Sequence, residues 1–310
     1  MTSGGARQVL VTGANGFAGA AIARHLRARG WRLRGSVRNA DAVVPPGVEK
    51  AVTGAIDGTT DWTAALAGVD SVVHCAARVH VMQEREADPA AAFRRVNVTA
   101  TRRLAEQAVA AGVGHFVFLS SIGAARAERD PTAANAYQRS KLEAEGALRE
   151  AAAGSAMVLV MLRPPLIYGP GAPGNFARLA RLIAAGWPLP LASLDNKRSQ
   201  IFVDNLAGAV EAALSCDASP EAPLPLSDSE DLSTAELARR IGRASGHPAR
   251  LLPCPPALLR LGARLLGQTA AAEALTGGLT VSNAAIGRAL GWTPAFTLDE
   301  GLALTFGGRE

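Results

Sequence analysis

Three apolar residues, Val9 to Val11, lead through Thr12 into Gly13, Gly16 and Gly19, and a helical pattern takes over from Phe17 to Arg29. No other stretch limits the fold as strongly. A buried strand feeding a glycine turn and then a helix brings backbone N–H groups and the positive end of the helix together with no side chains in the way. A dinucleotide pyrophosphate requires that combination.

Strand patterns recur at Leu33 to Ser36, Val48 to Thr53, Ser71 to His74, Phe116 to Leu119 and Met157 to Leu162, with helical segments at Pro89 to Ala111 and Tyr137 to Ala152. Alternating strands and helices with nearly all-apolar strands predict an α/β fold: a doubly wound, parallel Rossmann-type sheet, buried on both faces, that gathers ligands at its carboxyl ends. After Leu162 the texture changes. RPPLIYGPGAPGN reads as a loop leaving the sheet, Asn175 to Ala185 resumes a helix, and Pro188 to Pro190 and Ser219 to Pro225 are further breaks. Ser233 and Glu236 are spaced as a capping box for a helix to Ser245, and another helix starts near Asp299. The expected division is a dinucleotide-binding domain over 1–165 and a smaller mixed substrate lobe over 166–310, with segments near 200–215 returning to the first sheet.

The 310 residues are 48% hydrophobic and 19% charged, an ordinary composition for a globular chain with a sizeable core. The net charge is +5 and the pI ≈ 9.6, but the basic residues are scattered, which favours a solvated surface or an anionic small-molecule site over nucleic acid. Cys75, Cys216 and Cys254 stand far apart without metal spacing, so no metal site is expected and the thiols read as reduced. The opening MTSGGARQ is short and polar and no apolar run reaches membrane-spanning length, so a cytoplasmic location is expected and no membrane partner. The Leu-rich piece Pro256 to Leu266 reads as a core or substrate-lobe helix rather than a membrane-surface one.

Past the second strand, where an acidic residue would hold an adenosine ribose, stand Ser36, Val37 and Arg38. Ser36 and Arg38 suit a 2′-phosphate, so NADP(H) is favoured, with NAD(H) possible. The sharpest chemical signal is AYQRSKLEAE. Tyr137 and Lys141 stand four apart on one helix face. A phenol titrates too high for neutral proton exchange, and an adjacent ammonium favours its phenolate, so Tyr137 is the candidate general acid or base. Ser120 and Ser121 end the preceding strand. Ser121 is the candidate hydrogen-bond partner for the oxygen that exchanges the proton, with turn capping as the plain alternative.

TGANGFAG, HCAA from His74 to Ala77, VNV around Asn97, LSS, the Tyr-x-x-x-Lys pair and LRPPLIYGPG together resemble the extended short-chain dehydrogenase/reductases, in their nucleotide-sugar epimerase/dehydratase branch. The resemblance runs from about Val9 to Gly301. It implies that Gly13, Gly16, Phe17 and Gly19 meet the pyrophosphate, that Ile56, Ala76 and Asn97 line or position the cofactor, and that Ser121, Tyr137 and Lys141 form the catalytic group, Lys141 also holding the nicotinamide ribose. It implies further that Asn175 and Arg198 contact a nucleotide diphosphate, that His80 lines the sugar pocket, that Asp204 caps the next helix, and that the chain dimerises through Pro89 to Ala111 and Tyr137 to Ala152. Departures are visible. Leu166 replaces an Asn usual in epimerases, Ala55 an acidic residue near the adenine, and AAEALTGGLTV lacks a second diphosphate-binding Arg. Ile122 and Gly123 stand where a dehydratase carries an acidic pair, which speaks against a 4,6-dehydratase. The leading expectation is NADPH-dependent reduction of a UDP-4-keto sugar of the 6-deoxy-N-acetylhexosamine type. A UDP-glucose or UDP-N-acetylglucosamine 4-epimerase with tightly held NAD is the alternative, and a non-catalytic dinucleotide sensor or a plain alcohol or steroid dehydrogenase stands outside both.

Overall fold

The structure, a computed structural model, describes residues 7–79, 86, 88–265 and 275–307. In chain order the elements are β1 Gln8–Thr12, α1 Phe17–Ala28, β2 Arg32–Val37, β3 Val48–Val52, α2 Thr63–Leu66, β4 Ser71–His74, α3 Pro89–Arg94, a π-helical turn Arg95–Thr99, α4 Ala100–Ala110, β5 His115–Leu119, α5 Ile122–Arg129, α6 Ala136–Ala152 and β6 Val158–Arg163. There follow β7 Leu166–Tyr168, α7 Gly174–Ala184, β8 Arg198–Phe202, α8 Val203–Ala213, β9 Leu224–Pro225, β10 Asp231–Leu232, α9 Thr234–Ala244, α10 Pro256–Leu265, α11 Ala284–Leu290 and α12 Leu298–Phe306.

Two compact units result. The first comprises Met1–Pro164, Leu206–Leu226 and Ala284–Thr293, and the second Pro165–Asn205, Ser227–Asn283 and Pro294–Glu310. The first holds a seven-stranded, all-parallel sheet in the order β3-β2-β1-β4-β5-β6-β9. The chain reverses direction across the sheet between β1 and β4, the place where doubly wound sheets open a crevice for ligands. Leu10, Val72, Phe116 and Phe118 on the strands pack with Trp62, Leu104 and Leu148 in one buried cluster, which is why these strands read as unbroken apolar runs.

The expected helical segment from Pro89 to Ala111 is helical from Pro89 to Ala110, with a π turn set between α3 and α4. The turn carries the β-branched Val96, Val98 and Thr99, and its extra residue swings Asn97 inward to full burial.

In the second unit β7, β8 and β10 form a small mixed sheet, β7 parallel to β8 and β10 antiparallel to it. RPPLIYGPG is therefore more than a loop. Its Leu-Ile-Tyr core pairs with Gln200 to Phe202, and Tyr168 is buried with its hydroxyl donating to Asp228 at 2.8 Å. The flanking prolines and glycines hid a three-residue strand. Likewise Leu224 and Pro225, within an expected loop, add a short edge strand to β6.

Two helix starts also differ from expectation. Ser233 accepts from Glu236 N at 3.0 Å, but the Glu236 carboxylate turns to Arg239, Arg240 and Arg243, so only half of that capping box forms. A full box does form at Thr297 and Glu300. Asp204 lies inside the first turn of α8, where its charge suits the helix dipole, rather than at the cap. On α10, Leu258 and Leu261 are exposed, so this helix does not supply core there. Among the described residues no helix is long and apolar enough to cross a membrane.

Candidate active site

The glycine turn is held by its own geometry. Gly13 adopts a φ of +65°, which disfavours a side chain, and a Cβ there would come within 3.1 Å of Ala76 Cα, two residues past the end of β4. Gly16 N donates to Gly13 O at 2.9 Å and forms the N-cap of α1. A Cβ on Gly19 would run into the Gly13 carbonyl, so the helix packs directly on the turn. Phe17 is half-buried at the start of α1. The result is a cradle without side chains at the N-terminus of a helix, and it fits a pyrophosphate.

Behind the turn lies a buried polar chain that fixes both strand ends. Thr12 Oγ1 accepts from Cys75 N and Ala76 N, each at 3.1 Å, and meets His74 Nδ1 at 2.7 Å. His74 Nε2 meets Thr101 Oγ1 at 2.9 Å, and that hydroxyl donates to Asn97 O at 2.8 Å. A hydroxyl has one proton and two lone pairs. Thr12 has spent both lone pairs on N–H groups, so its proton goes to Nδ1, and neutral His74 must carry its own proton on Nε2. Thr12 and Thr101 were missed from the sequence, because nothing local announces a hydrogen bond across 62 positions.

Burial, reinforced by the Lys141 charge, pushes the His74 imidazole down to about 3. The unfolded chain binds this proton near pH 6.5 and the folded chain does not, so the native state is most favoured above 6.5 and loses stability as the pH falls toward 3. His74 is expected to contribute a slope of about 1.4 kcal/mol per pH unit across that window. Urea unfolding over a pH series, compared between the parent and His74→Gln, checks it. Parallel pH dependences would contradict it.

Asn97 reaches in two directions. It exchanges hydrogen bonds with the backbone of Arg78, Arg78 N to Oδ1 at 2.7 Å and Nδ2 to Arg78 O at 2.9 Å, and Nδ2 donates to Ser140 Oγ at 2.9 Å. Ser140 in turn donates to Tyr137 O at 2.8 Å. The segment after β4 is thereby tied to the first turn of α6. That helix starts on a full capping box between Asn135 and Gln138, which sets where Tyr137 begins it.

Tyr137 is half-buried, its ring edge-on to Phe93 at 6.1 Å. Burial raises the phenol above its ordinary value, and a hydrogen bond from the Ser121 side pulls it back. Ser121 also N-caps α5, its Oγ accepting from Gly123 N at 3.1 Å, so capping and proximity to Tyr137 coexist. Lys141 is buried, donates from Nζ to Leu119 O at 2.8 Å and lies 4.5 Å from the Phe118 ring centre. Desolvation pushes it down to about 8, with Cys75 and Glu145 pulling the other way. Lys141 gives one of its three N–H bonds to the end of β5, and the side chain that favours the Tyr137 phenolate in this structure is Ser121.

The remaining residues are more scattered. Ser36 is buried and its hydroxyl meets Thr53 Oγ1 at 3.2 Å, whereas Arg38 is exposed beyond β2. Ile56 is partly buried against the core cluster. In the second unit Asn175 is exposed in the first turn of α7, and Arg198 on β8 donates to Gly277 O at 3.2 Å. His80 lies outside the described residues. Among the described residues no group of His, Cys, Asp and Glu side chains is placed to hold a metal ion.

Comparison with known proteins gives concordant results. The NAD dependent epimerase/dehydratase family matches residues 9–223. A UDP-glucose 4-epimerase of Vibrio cholerae is 34% identical over 319 residues, covering 96% of this chain and 94% of that protein. A ceramide reductase of Caulobacter vibrioides (strain NA1000 / CB15N) is 33% identical over 261 residues, covering 82% and 76%. Among solved structures, MoeE5 in complex with UDP-glucuronic acid and NAD has a TM-score of 0.76 at 24% identity, covering 97% of this chain and 98% of that one. At that identity the likeness shows the fold.

Proposed function

The chain belongs to the NAD dependent epimerase/dehydratase family, and from that premise we propose that it acts at C4 of a UDP-linked hexose, with Tyr137 exchanging the proton on O4. The observation that carries this reading is the placement of Ser121, Tyr137 and Lys141 at the end of β5 and in the first turns of α6, in the unit that also holds the glycine cradle. Gly13, Gly16 and Gly19 would hold the pyrophosphate of a nicotinamide dinucleotide, with Phe17, Ile56, Ala76 and Asn97 around it. Bound there, the dinucleotide supplies the acceptor and donor of hydride. Ser121 favours the phenolate and orients the sugar oxygen, Tyr137 removes or returns the O4 proton, and Lys141 contributes positive charge and a ribose contact. Asn175 and Arg198 would take the diphosphate.

The near full-length Vibrio cholerae relative favours return of the hydride to the opposite face, that is, 4-epimerisation without net consumption of cofactor. A second reading, one-way reduction of a UDP-4-keto sugar by NADPH, is favoured by exposed Arg38, whose charge suits a 2′-phosphate and would repel nothing there. Cofactor handling separates the two. Epimerisation interconverts UDP-hexoses with no loss of nicotinamide absorbance, whereas reduction oxidises NADPH in step with product. Either reading requires UDP to raise the melting temperature of the parent chain and Arg198→Ala to lose much of that rise. No response to UDP in the parent would remove both readings. A homodimer through α4 and α6 is part of the same proposal, checked by sedimentation.

A further inference from the structure

One buried ion pair in the first unit has no part in the proton and hydride handling above. Glu145, on α6, is fully buried, and Arg163, the last residue of β6, is 6% exposed. Arg163 donates from Nε to Glu145 Oε1 at 2.9 Å and from Nη2 to Oε2 at 2.6 Å. Its third nitrogen, Nη1, donates to Glu128 on α5 at 3.0 Å. The same Glu145 Oε1 accepts from Ser120 Oγ at 2.5 Å. One guanidinium thus ties α5 to α6 at the end of β6, and the carboxylate between them holds the residue directly before Ser121.

The placement is informative on both sides. Glu145 follows Lys141 by four residues and Tyr137 by eight, so all three share one helix face. Ile122 N, just after Ser121, donates to Pro164 O at 2.9 Å, so the start of α5 is also pinned next to Arg163. Buried ion pairs are poor sources of stability, because removing two charges from water offsets most of their attraction, and apolar side chains of like size serve as well or better. What an apolar pair could not do here is fix the direction of three donors and leave a negative charge one turn from Lys141.

We propose that Glu145 and Arg163 are positioning residues that hold Ser121 and Lys141 in register with Tyr137. They touch neither substrate nor cofactor and act through Ser120, the N-terminus of α5 and the Lys141 ammonium. The effect on turnover rests on the function proposed above; the effect on Lys141 does not.

The test uses E145Q and the apolar double replacement E145M/R163M in the full chain. Thermal unfolding, kcat and KM for a UDP-hexose, and NMR titration of isotope-labelled lysine, assigned with Lys141→Met, are read in parallel. The double variant is expected to melt no lower than the parent yet lose about tenfold or more in kcat at nearly unchanged KM, since misplacement of reacting groups costs rate rather than binding. In E145Q the Lys141 titration moves to lower pH, because the carboxylate that supports its charge is gone. His74 and Cys75, the other titratable groups acting on or responding to Lys141, are untouched in both variants. Full kcat in a stable double variant, or an unmoved Lys141 titration in E145Q, overturns the proposal. Should E145M/R163M not fold, E145Q decides by the same two readings. A parent chain inactive on every UDP-hexose would instead sink the proposed function, and the lysine titration would still decide the positioning role.

Discussion

Tyr137→Phe is expected to lower turnover by about 10²–10⁴-fold, the range that a positioned proton donor or acceptor supplies, while leaving dinucleotide binding within a few-fold of the parent. Among the described residues at the end of β5, the phenol is the group placed to give and take a proton on a sugar oxygen. Lys141 is bonded to Leu119 O, and His74 is held neutral between two threonine hydroxyls. The ring stays edge-on to Phe93 when the hydroxyl is removed, so packing should survive and the loss should fall on kcat. Steady-state rates set beside dinucleotide titration by fluorescence quenching check this. Turnover within a few-fold of the parent would remove Tyr137 as the group that exchanges the O4 proton.

Gly19→Ala should abolish cofactor binding by a different route. The added methyl would overlap the Gly13 carbonyl oxygen and stand 2.9 Å from its carbon and 3.3 Å from Ala14 Cα, all of them backbone atoms that cannot swing aside. Either α1 moves off the turn or the turn opens, and each spoils the approach of N–H groups to a pyrophosphate. Overpacking of this kind costs about 1–3 kcal/mol in stability, and a loss of dinucleotide affinity of about 100-fold or more corresponds to about 2.7 kcal/mol. Gly16→Ala is the control for packing alone, since its Cβ would meet only Gly13 O, at 3.2 Å, while still intruding on the cradle. Urea unfolding of the two variants should therefore differ sharply, although both lose dinucleotide affinity. Equal, mild effects would mean that the turn does not need its close packing.

The features legible in the sequence are those written in short-range periodicity. β1, the glycine turn and α1 are contiguous, and Tyr137 and Lys141 share a helix whose capping box sits in the same ten residues. What escaped detection depends on partners far along the chain. The His74 relay joins Thr12, Thr101 and Asn97, the Arg163 guanidinium joins Glu128 and Glu145, and β7 exists because Tyr168 finds Asp228 sixty positions on. The π turn was hidden for the opposite reason. Its residues keep an ordinary helical texture, and only the demand for Asn97 to bond Arg78 and Ser140 at once makes an extra residue necessary. Lys141 shows the limit of spacing arguments most clearly. Four-residue spacing puts it on one helix face with Tyr137, but it does not reveal that the carbonyl of Leu119 takes one of its N–H bonds.

The most direct measurement is proton NMR of a UDP-hexose carrying deuterium at C4, incubated with the chain and nicotinamide dinucleotide. Hydride chemistry at that carbon, with Tyr137 handling only the O4 proton, predicts that the C4 epimer appears with its deuterium retained, and that Tyr137→Phe forms none on the same timescale. Replacement of the C4 deuterium by solvent hydrogen, or inversion that proceeds equally well in Tyr137→Phe, would contradict it.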